Sequence, residues 1–152
     1  MTFTAAQLAM QVAILSTAVA HTDTYRDAYE QSTSRHQPLL VLVGDASNAE
    51  CQQMKLGQMG TLKEDGSLSE IAYAAVDRDL HPKLASLIMQ GEKLPQLVMY
   101  TQVGQQWRRS QIDGPQTSDQ VRQFIQQEVA NARQIESAPV RQMEWRRASF
   151  SS

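Results

Sequence analysis

Short apolar runs alternate with amphipathic segments through the central part of the chain. The runs at residues 38–43 (PLLVLV) and 71–79 (IAYAAVDRD) are apolar over most of their length, which is typical of strands buried in the centre of a sheet. Two further segments, at residues 95–102 and 106–114, are separated by a short turn that contains glycine and therefore predict an antiparallel hairpin. The pattern predicts four strands in all.

Four segments with a helical spacing of apolar positions lie between and beside these strands. The first, over residues 22–35, is capped by Thr22 or Asp23. Its buried face is predicted to comprise Tyr25, Ala28 and Tyr29. The last begins with Thr117 and Gln120, which are spaced as a capping box. Its predicted buried stripe comprises Val121, Phe124, Ile125 and Val129.

The second helix follows the first strand and begins at Asn48. Its inward-facing positions are predicted to be Cys51, Met54 and Met59. Gly57 and Gly60 lower the helical preference, because glycine loses more backbone entropy than other residues in a helix. We therefore expect the helix to end near these glycines, and the polar sequence at residues 60–70 to form a loop.

The third helix lies between the second strand and the hairpin, within residues 79–91. Asp79 is its predicted N-cap, Pro82 is tolerated in the first turn, and Gly91 is predicted to end it. The order of elements is therefore helix, strand, helix, strand, helix, strand, strand, helix. This order predicts the α/β class, a sandwich in which helices flank a central mixed four-stranded sheet.

Length and charge limit the classes of function that the chain can have. A chain of 152 residues is long enough to bury the core of one domain. Its 14 basic and 16 acidic residues give a net charge of −2, so no broad positive field favours nucleic acid or an anionic membrane. His21, His36 and His81 lie far apart in sequence and have no second cysteine to join them. We therefore expect no metal, no cofactor and no nucleic acid partner.

The amino-terminal segment at residues 8–20 (LAMQVAILSTAVA) is apolar, uncharged and too short to span a bilayer, and it ends in small residues typical of a cleavage site. We predict a signal peptide over residues 1–20 and a secreted or periplasmic mature chain without a membrane span. The alternative is a packed first helix in a cytoplasmic protein, because no basic residue precedes the apolar run. The mature chain would comprise a domain at residues 21–131 and a basic, disordered tail at residues 132–152.

Three stretches of the mature chain carry a family resemblance: QPLLVLVGDASNAECQQMK, AAVDRDLHPKLASLIMQGEKLPQLVMY and QIDGPQTSDQVRQFI. They resemble, in turn, the first central strand with its redox loop and helix, the second strand through to the proline-led strand, and the last strand and helix of the thioredoxin-like superfamily. The likeness covers roughly residues 22–130. It implies a thioredoxin-like three-layer sandwich, with a cis bond between Leu94 and Pro95 in a loop that faces the redox site.

The redox motif departs from the family pattern. In the family, two cysteines separated by two residues lie at the start of a helix, where the first is stabilised as a thiolate. Here the motif reads NAEC, so Asn48 occupies the position of the attacking cysteine and Cys51 that of the second. Leu42 stands where many members keep a buried acid, and Ser47 stands where an aromatic residue usually precedes the motif. Dithiol oxidoreductase chemistry is therefore not expected.

Three interpretations of Cys51 remain open. It is a small buried residue in the first helical turn, with Asn48 as the N-cap. Alternatively, it is a single reactive thiol that forms a mixed disulfide with a partner or a disulfide-linked dimer. A shifted register would instead make Cys51 the first position of CQQM, with Met54 in the second place. The neighbouring Glu50 disfavours a thiolate in every case, because like charges raise a pKa.

Two functions are consistent with these residues. The first is a redox-inactive module that holds an extended peptide or protein partner through backbone hydrogen bonds. Its predicted substrate-binding residues are Ser47, Asn48, Leu94 and Pro95. The second is thiol–disulfide exchange with Cys51 as the catalytic residue. We interpret the remaining polar groups as structural: residues 77–79 as a turn and a helix cap, and residues 107–109 as an exposed strand face.

Overall fold

A computed structural model describes residues 24–138 of the chain. The first half contains helix α1 (Tyr25–Arg35), strand β1 (Leu39–Gly44), helix α2 (Ala49–Gln53), a π-helical segment (Met54–Gln58) and helix α3 (Met59–Glu64). The second half contains strand β2 (Ala72–Asp77), helix α4 (Pro82–Ile88), strands β3 (Gln96–Val103) and β4 (Gln106–Asp113), and helix α5 (Ser118–Ser137). The predicted order of strands and helices is confirmed.

The four strands form one mixed sheet in the order β2–β1–β3–β4. Strands β1 and β2 run parallel, with Val41 opposite Ala74, because the helical stretch that joins them crosses over one face. Strand β3 runs antiparallel to β1, with Val41 opposite Val98, and β4 continues the antiparallel pairing through the hairpin. The predicted central mixed sheet and its hairpin are therefore confirmed.

Alternating side chains of the sheet fill two separate cores, one on each face. On one face the strand residues pack against the helical stretch α2–α3 and against α5. This core includes Leu40, Leu42, Met54, Met59, Leu62, Leu97, Met99, Val121 and Ile125. On the other face they pack against α1 and α4, in a core that includes Ala28, Leu39, Val41, Val43, Ala85, Ile88 and Val98. The result is the expected three-layer sandwich, with the sheet as the middle layer.

Helix α1 differs in detail from the sequence prediction. Its N-cap is Thr24, whereas the two predicted caps, Thr22 and Asp23, lie outside the described residues. Ala28 and Ser32, one turn apart, face the core, and the Ser32 hydroxyl donates a hydrogen bond to the carbonyl of Gln37 at 2.6 Å. Because the buried stripe passes through Ser32, Tyr29 is turned toward solvent and is 48% exposed, so its predicted burial is wrong.

The helix after β1 is longer than predicted. It passes through Gly57 as a π-helical segment and through Gly60 as part of α3, and it continues to Glu64, so the predicted loop at residues 60–70 begins only after α3. Met54, Met59 and Leu62 are almost completely buried on its inner face. Burying three large apolar side chains stabilises the fold by several kcal/mol in all, roughly 2 for each, which outweighs about 1 kcal/mol lost at each helical glycine.

Helix α4 begins later and ends earlier than predicted. Its N-cap is His81, and its last residue is Ile88. The predicted cap, Asp79, is not used; instead the Asp77 carboxylate accepts hydrogen bonds from the backbone N–H groups of Asp79 and Leu80, at 2.8 and 3.1 Å. The acidic side chain that stabilises this connection is therefore at the end of β2, and it forms a turn before the helix.

Helix α5 begins as predicted and extends further than predicted. The Thr117 hydroxyl accepts the N–H of Gln120, and the Gln120 side chain accepts the N–H of Thr117, which completes the capping box. The helix continues to Ser137, past residue 131, and Ala132 is its last buried residue. None of the helices within residues 24–138 is long and apolar enough to cross a membrane. The predicted signal peptide and most of the predicted tail lie outside the described residues.

Candidate functional site

Three connections meet at one end of the sheet, where β1 and β2 end and β3 begins. This edge of the molecule is formed by strand ends and not by an edge strand. The pairing of Gly44 with Asp77 brings the loop after β1 beside the turn after β2. The pairing of Val43 with Gln96 then places the residues before β3, including Pro95, next to the end of β1. All the residues that the sequence singled out around its redox-like motif therefore lie at the same end of the molecule.

Cys51 lies in the first turn of α2 and is buried, with 3% of its surface exposed. Asn48 is the N-cap of this helix, and its Oδ1 accepts the backbone N–H of Cys51 at 3.1 Å. The asparagine therefore satisfies one of the free N–H groups that the first turn of any helix presents. The predicted roles of Asn48 as a cap and of Cys51 as a buried residue of the first turn are both confirmed.

The end of β1 covers the sulfur of Cys51. A Cβ atom added at Gly44 would lie 3.0 Å from the Cys51 Cβ and 3.3 Å from its Sγ, closer than side chains normally pack. The strand and the helix can approach this closely because Gly44 has no side chain. The Cys51 sulfur is thus a packing atom between β1 and α2.

The pKa of the Cys51 thiol is raised above its usual value. Burial of the sulfur is the main cause, because it disfavours the charged thiolate, and the carboxylates of Asp45 and Glu50 act in the same direction. A hydrogen bond from the Asp45 backbone and the charge of Arg78 oppose the shift without reversing it. The predicted effect of Glu50 is confirmed, and the thiol is protonated at neutral pH.

A small cavity of about 20 Å³ lies beside Cys51, with room for about one water molecule. Its walls include Leu42, which is buried, and Ala75 from β2. Leu42 occupies the strand position at which the resemblance implies a buried acid. Asp45, Lys55 and Asp77 also border the cavity. The apolar side chain of Leu42 cannot exchange a proton with the thiol, as a buried acid at this position would.

A network of charged groups joins the loop after β1 to the turn after β2, and the sequence pattern does not indicate it. The Asp45 carboxylate accepts the N–H and hydroxyl of Ser47, at 2.8 and 2.6 Å, and pairs with Arg78 at 3.2 Å. The Ser47 hydrogen bonds are the main reason that the pKa of Asp45 is lowered. Asp77 also accepts the N–H of Ala46 at 3.1 Å, so it ties the loop after β1 to the turn after β2.

Asp79 has the opposite shift, since its pKa is raised chiefly by the negative charge of Asp45. Residues 77–79 therefore lead into a turn, as predicted, whereas the predicted helix cap is wrong, because the N-cap of α4 is His81. Within residues 24–138 there is no group of three or more His, Cys, Asp or Glu side chains arranged to hold a metal ion.

The proline loop forms the other side of this edge. The Leu94–Pro95 peptide bond is cis, and the Pro95 carbonyl accepts the N–H of Gly114 at 2.7 Å. Pro95 is buried, Asn48 and Leu94 are partly exposed, and Ser47 is exposed. Ser47, Asn48 and Leu94 therefore expose surface at this edge, whereas Pro95 mainly shapes the backbone beside them.

The aromatic and basic residues of β4 have two different roles: Trp107 is exposed at the surface, and Arg109 holds a neighbouring element. Trp107 is 41% exposed, which agrees with the predicted exposed strand face. Arg109 does not face freely into solvent, because its guanidinium donates a hydrogen bond to the carbonyl of Ile88 at 2.7 Å. This residue helps to fasten the end of α4, a role that its position in the sequence does not indicate.

Comparison with solved structures identifies the fold. The structure is similar to a thioredoxin from Thermus thermophilus (TM-score 0.59, 17% identity, covering 71% of this chain and 85% of that one). It is also similar to chloroplastic thioredoxin z (TM-score 0.56, 18% identity, covering 70% and 91%) and to the Fasciola hepatica thioredoxin (TM-score 0.53, 16% identity, covering 69% and 94%). No family model and no curated protein matches the chain.

The chain therefore has a thioredoxin-like α/β fold, as its sequence motifs imply. Identities below 20% to these three thioredoxins establish the fold alone. Within that fold, this chain has one cysteine, and it lies at the buried position of the motif.

Proposed function

We propose that the domain binds extended segments of a peptide or protein partner and does not catalyse dithiol exchange. One observation carries the proposal: the single thiol, that of Cys51, is buried behind β1, and the exposed position of the motif is occupied by the helix-capping Asn48. Exchange through a cysteine pair needs an exposed thiolate as the attacking group. The chain has no second cysteine to supply it.

The edge beside Asn48 supports binding of an extended chain. Ser47, Asn48 and Leu94 expose side chains along two neighbouring connections, so a strand-like segment laid across them would contact both. Backbone hydrogen bonds provide affinity for such a segment with little sequence preference. We propose Ser47, Asn48, Leu94 and Pro95 as the binding residues.

The second candidate is exchange through Cys51 alone, by a mixed disulfide with a partner or a disulfide-linked dimer. The small cavity beside the sulfur is the observation in its favour, because it leaves part of the thiol unpacked. The raised pKa and the 3% exposure oppose it, since both slow attack by the sulfur. Trapping by iodoacetamide separates the two candidates. We expect labelling of Cys51 in the native protein at pH 7 to be slow, and fast only after unfolding.

Insulin reduction in the presence of dithiothreitol tests the absence of catalysis. Wild type and Cys51→Ala should give the same rate as buffer, and faster turnover by wild type alone would contradict the proposal.

Binding is tested with an unfolded probe, reduced and carboxymethylated α-lactalbumin. It is measured by NMR, from the shifts of the backbone amide signals of the domain. We expect the largest shifts at Ser47, Asn48 and Leu94. Ser47→Arg should weaken binding several-fold, whereas the matched variant Ser69→Arg, at an exposed position elsewhere, should leave it unchanged.

The compartment and the chain limits are part of the same proposal. We propose export by a signal peptide over residues 1–20, with the domain at residues 21–131 followed by the basic tail at residues 132–152, of which residues 132–137 belong to α5. Mass spectrometry of the protein from its native host tests the cleavage. A mature chain that begins at His21 supports export, and a chain that retains residues 1–20 favours the cytoplasmic alternative.

A further inference from the structure

The segment between α4 and β3, residues 89–95, is fastened by a buried side chain. Gln96, the first residue of β3, is completely buried. Its side-chain Oε1 accepts the N–H of Gln90 at 3.0 Å, and its Nε2 donates to the carbonyl of Gln90 at 2.9 Å. One amide therefore satisfies both backbone groups of one loop residue, as the backbone of a neighbouring strand would.

The buried position of this amide makes the geometry specific. The next residue of β3 on the same face is Val98, which belongs to the apolar core with α1 and α4. An amide placed beside that core destabilises the fold if it is left without partners, whereas the two bonds to Gln90 satisfy it. Since the cost of breaking both bonds is high, the pairing holds Gln90 at a fixed place over the end of the sheet.

Two side chains of β4 contact this region from the surface, one at the last residue of α4 and one within the segment at residues 89–95. Arg109 donates to the carbonyl of Ile88 at 2.7 Å, and Gln111 donates to the carbonyl of Gln90 at 3.2 Å. Gln111 also contacts Asp113 at 3.0 Å, so its side chain is shared between two acceptors. These contacts are only partly buried and involve one backbone carbonyl each, so they hold the segment less firmly than Gln96 does.

From this geometry we infer that Gln96 is a positioning residue for the proposed peptide-binding edge. Its side chain fixes Gln90, and the Pro95 carbonyl is fixed by Gly114, so the intervening residues 91–94 follow one course between two anchored ends. That course determines where Leu94 meets a bound chain. The effect on binding rests on the proposed function, whereas the fixing of the loop can be measured without any ligand.

Amide hydrogen exchange on the full-length protein tests the fixing of the loop. Gln96→Met removes both hydrogen bonds at nearly constant size. We expect exchange at the Gln90 amide, whose N–H donates to Gln96, to become about tenfold faster or more. The matched control is Gln102→Met, on the same strand and the same face but at the far end, and it should leave exchange in this loop unchanged. Unchanged exchange in Gln96→Met would overturn the inference.

A second variant keeps the test decisive if Gln96→Met does not fold. The double variant Arg109→Met/Gln111→Met removes the surface contacts and leaves the Gln96 amide in place. We expect its loop exchange to rise less than about threefold, because Gln96 still holds Gln90. If the double variant frees the loop by tenfold or more, the surface side chains hold it, and the assignment to Gln96 is wrong.

Binding of carboxymethylated α-lactalbumin to the same variants tests the functional consequence. A positioning role predicts about tenfold weaker binding by Gln96→Met, with the same contacted residues and with unchanged binding by Gln102→Met. A faster-exchanging loop with unchanged affinity would show that Gln96 does not position the binding edge. If wild type itself does not bind the probe, the proposed function fails, and the exchange experiment still decides whether Gln96 fixes the loop.

Discussion

At the scale of single residues, Gly44 sets how closely β1 and α2 approach. Gly44→Ala places a methyl group 3.0 Å from the Cys51 Cβ, so the strand end or the helix must move. We expect a loss of about 1–3 kcal/mol in the free energy of unfolding, the usual cost of overpacking a tight contact. Urea denaturation measures it.

The matched control is Gly57→Ala, in the π-helical segment, where an added Cβ meets nothing within 4 Å. Because alanine favours helical conformations over glycine, this variant should be as stable as wild type or up to about 1 kcal/mol more stable. Equal effects of the two substitutions would show that the contact with the sulfur is not close.

The raised pKa of Cys51 predicts a loss of stability at alkaline pH. The pKa of the thiol in the folded protein lies above its pKa in the unfolded chain. The contribution of the thiol to the free energy of unfolding is therefore fully present below the unfolded pKa of about 9. It is lost as pH rises from there through the folded pKa, since the unfolded chain releases the thiol proton first.

The measurement is the difference in unfolding free energy between wild type and Cys51→Ala, with reductant present, from pH 7 to 10.5. The Cys51→Ala variant removes the background from tyrosines, including Tyr25, whose pKa is also raised. We expect the advantage of wild type to fall above about pH 9, by at most about 1.4 kcal/mol per pH unit. A flat difference would mean that the sulfur is equally easy to ionise in the folded protein.

The role of a site residue could be predicted from the sequence when its partner lies close to it in the chain. Asn48 as an N-cap is a local feature, because its partner Cys51 is three residues away, and the sequence indicates it directly. The pairing of Asp45 with Arg78 joins residues far apart in the chain, so it depends on the register between β1 and β2. Gln96 could not be predicted for a different reason: its partner Gln90 is only six residues away, but a glutamine in a strand gives no sign that its side chain pairs with a loop.

At the scale of elements, burial explains where helix prediction failed. Gly57 and Gly60 are correct signals of weak helix propensity, but Met59 and Leu62 are each completely buried and hold the chain helical. Helix α4 shows the reverse case. The chain leaves the helix after Ile88, well before the predicted stop at Gly91, because the backbone of Gln90 pairs with a side chain of the sheet.

From the geometry at the start of α2, we predict that a single substitution can restore an oxidoreductase site. Asn48→Cys places a thiol at the N-cap, where free N–H groups stabilise a thiolate, and Cys51 lies in the following turn. We expect insulin reduction to rise clearly above that of wild type, with a loss of about 1 kcal/mol in stability because the cap is removed.

Asn48→Ala and the double variant Asn48→Cys/Cys51→Ala are the controls. The first loses the cap and the second loses the resolving sulfur, so both should remain without activity. If Asn48→Cys is also inactive while it folds normally, the helix start does not present the exposed position in a usable way. The apolar Leu42 beside the sulfur will limit the rate, since it cannot carry a proton for Cys51.

At the scale of the whole molecule, the attachment of helix α5 determines how far the folded region extends. Helix α5 joins the core with α2–α3 along much of its length, through Val121, Ile125 and partly buried Val129. It is also tied at its first turns, where the Arg122 guanidinium pairs with Asp65 at 2.6 Å. This long attachment explains why the folded region continues past residue 131, a limit that the sequence could not fix because polar residues dominate the last turns.

Substitutions near the end of α5 test where the folded domain ends. Ala132 is buried although it lies beyond the predicted limit, whereas Ala130 is exposed on the same helix. Ala132→Glu buries a longer, charged side chain, so we expect a loss of about 1–3 kcal/mol in the free energy of unfolding. Ala130→Glu makes the same change in helix propensity at the surface and should alter stability by less than about 0.5 kcal/mol. Urea denaturation of the two full-length variants measures the difference. If Ala132→Glu is as stable as Ala130→Glu, the last turns of α5 do not contribute to the cooperative core. The domain then ends near residue 131.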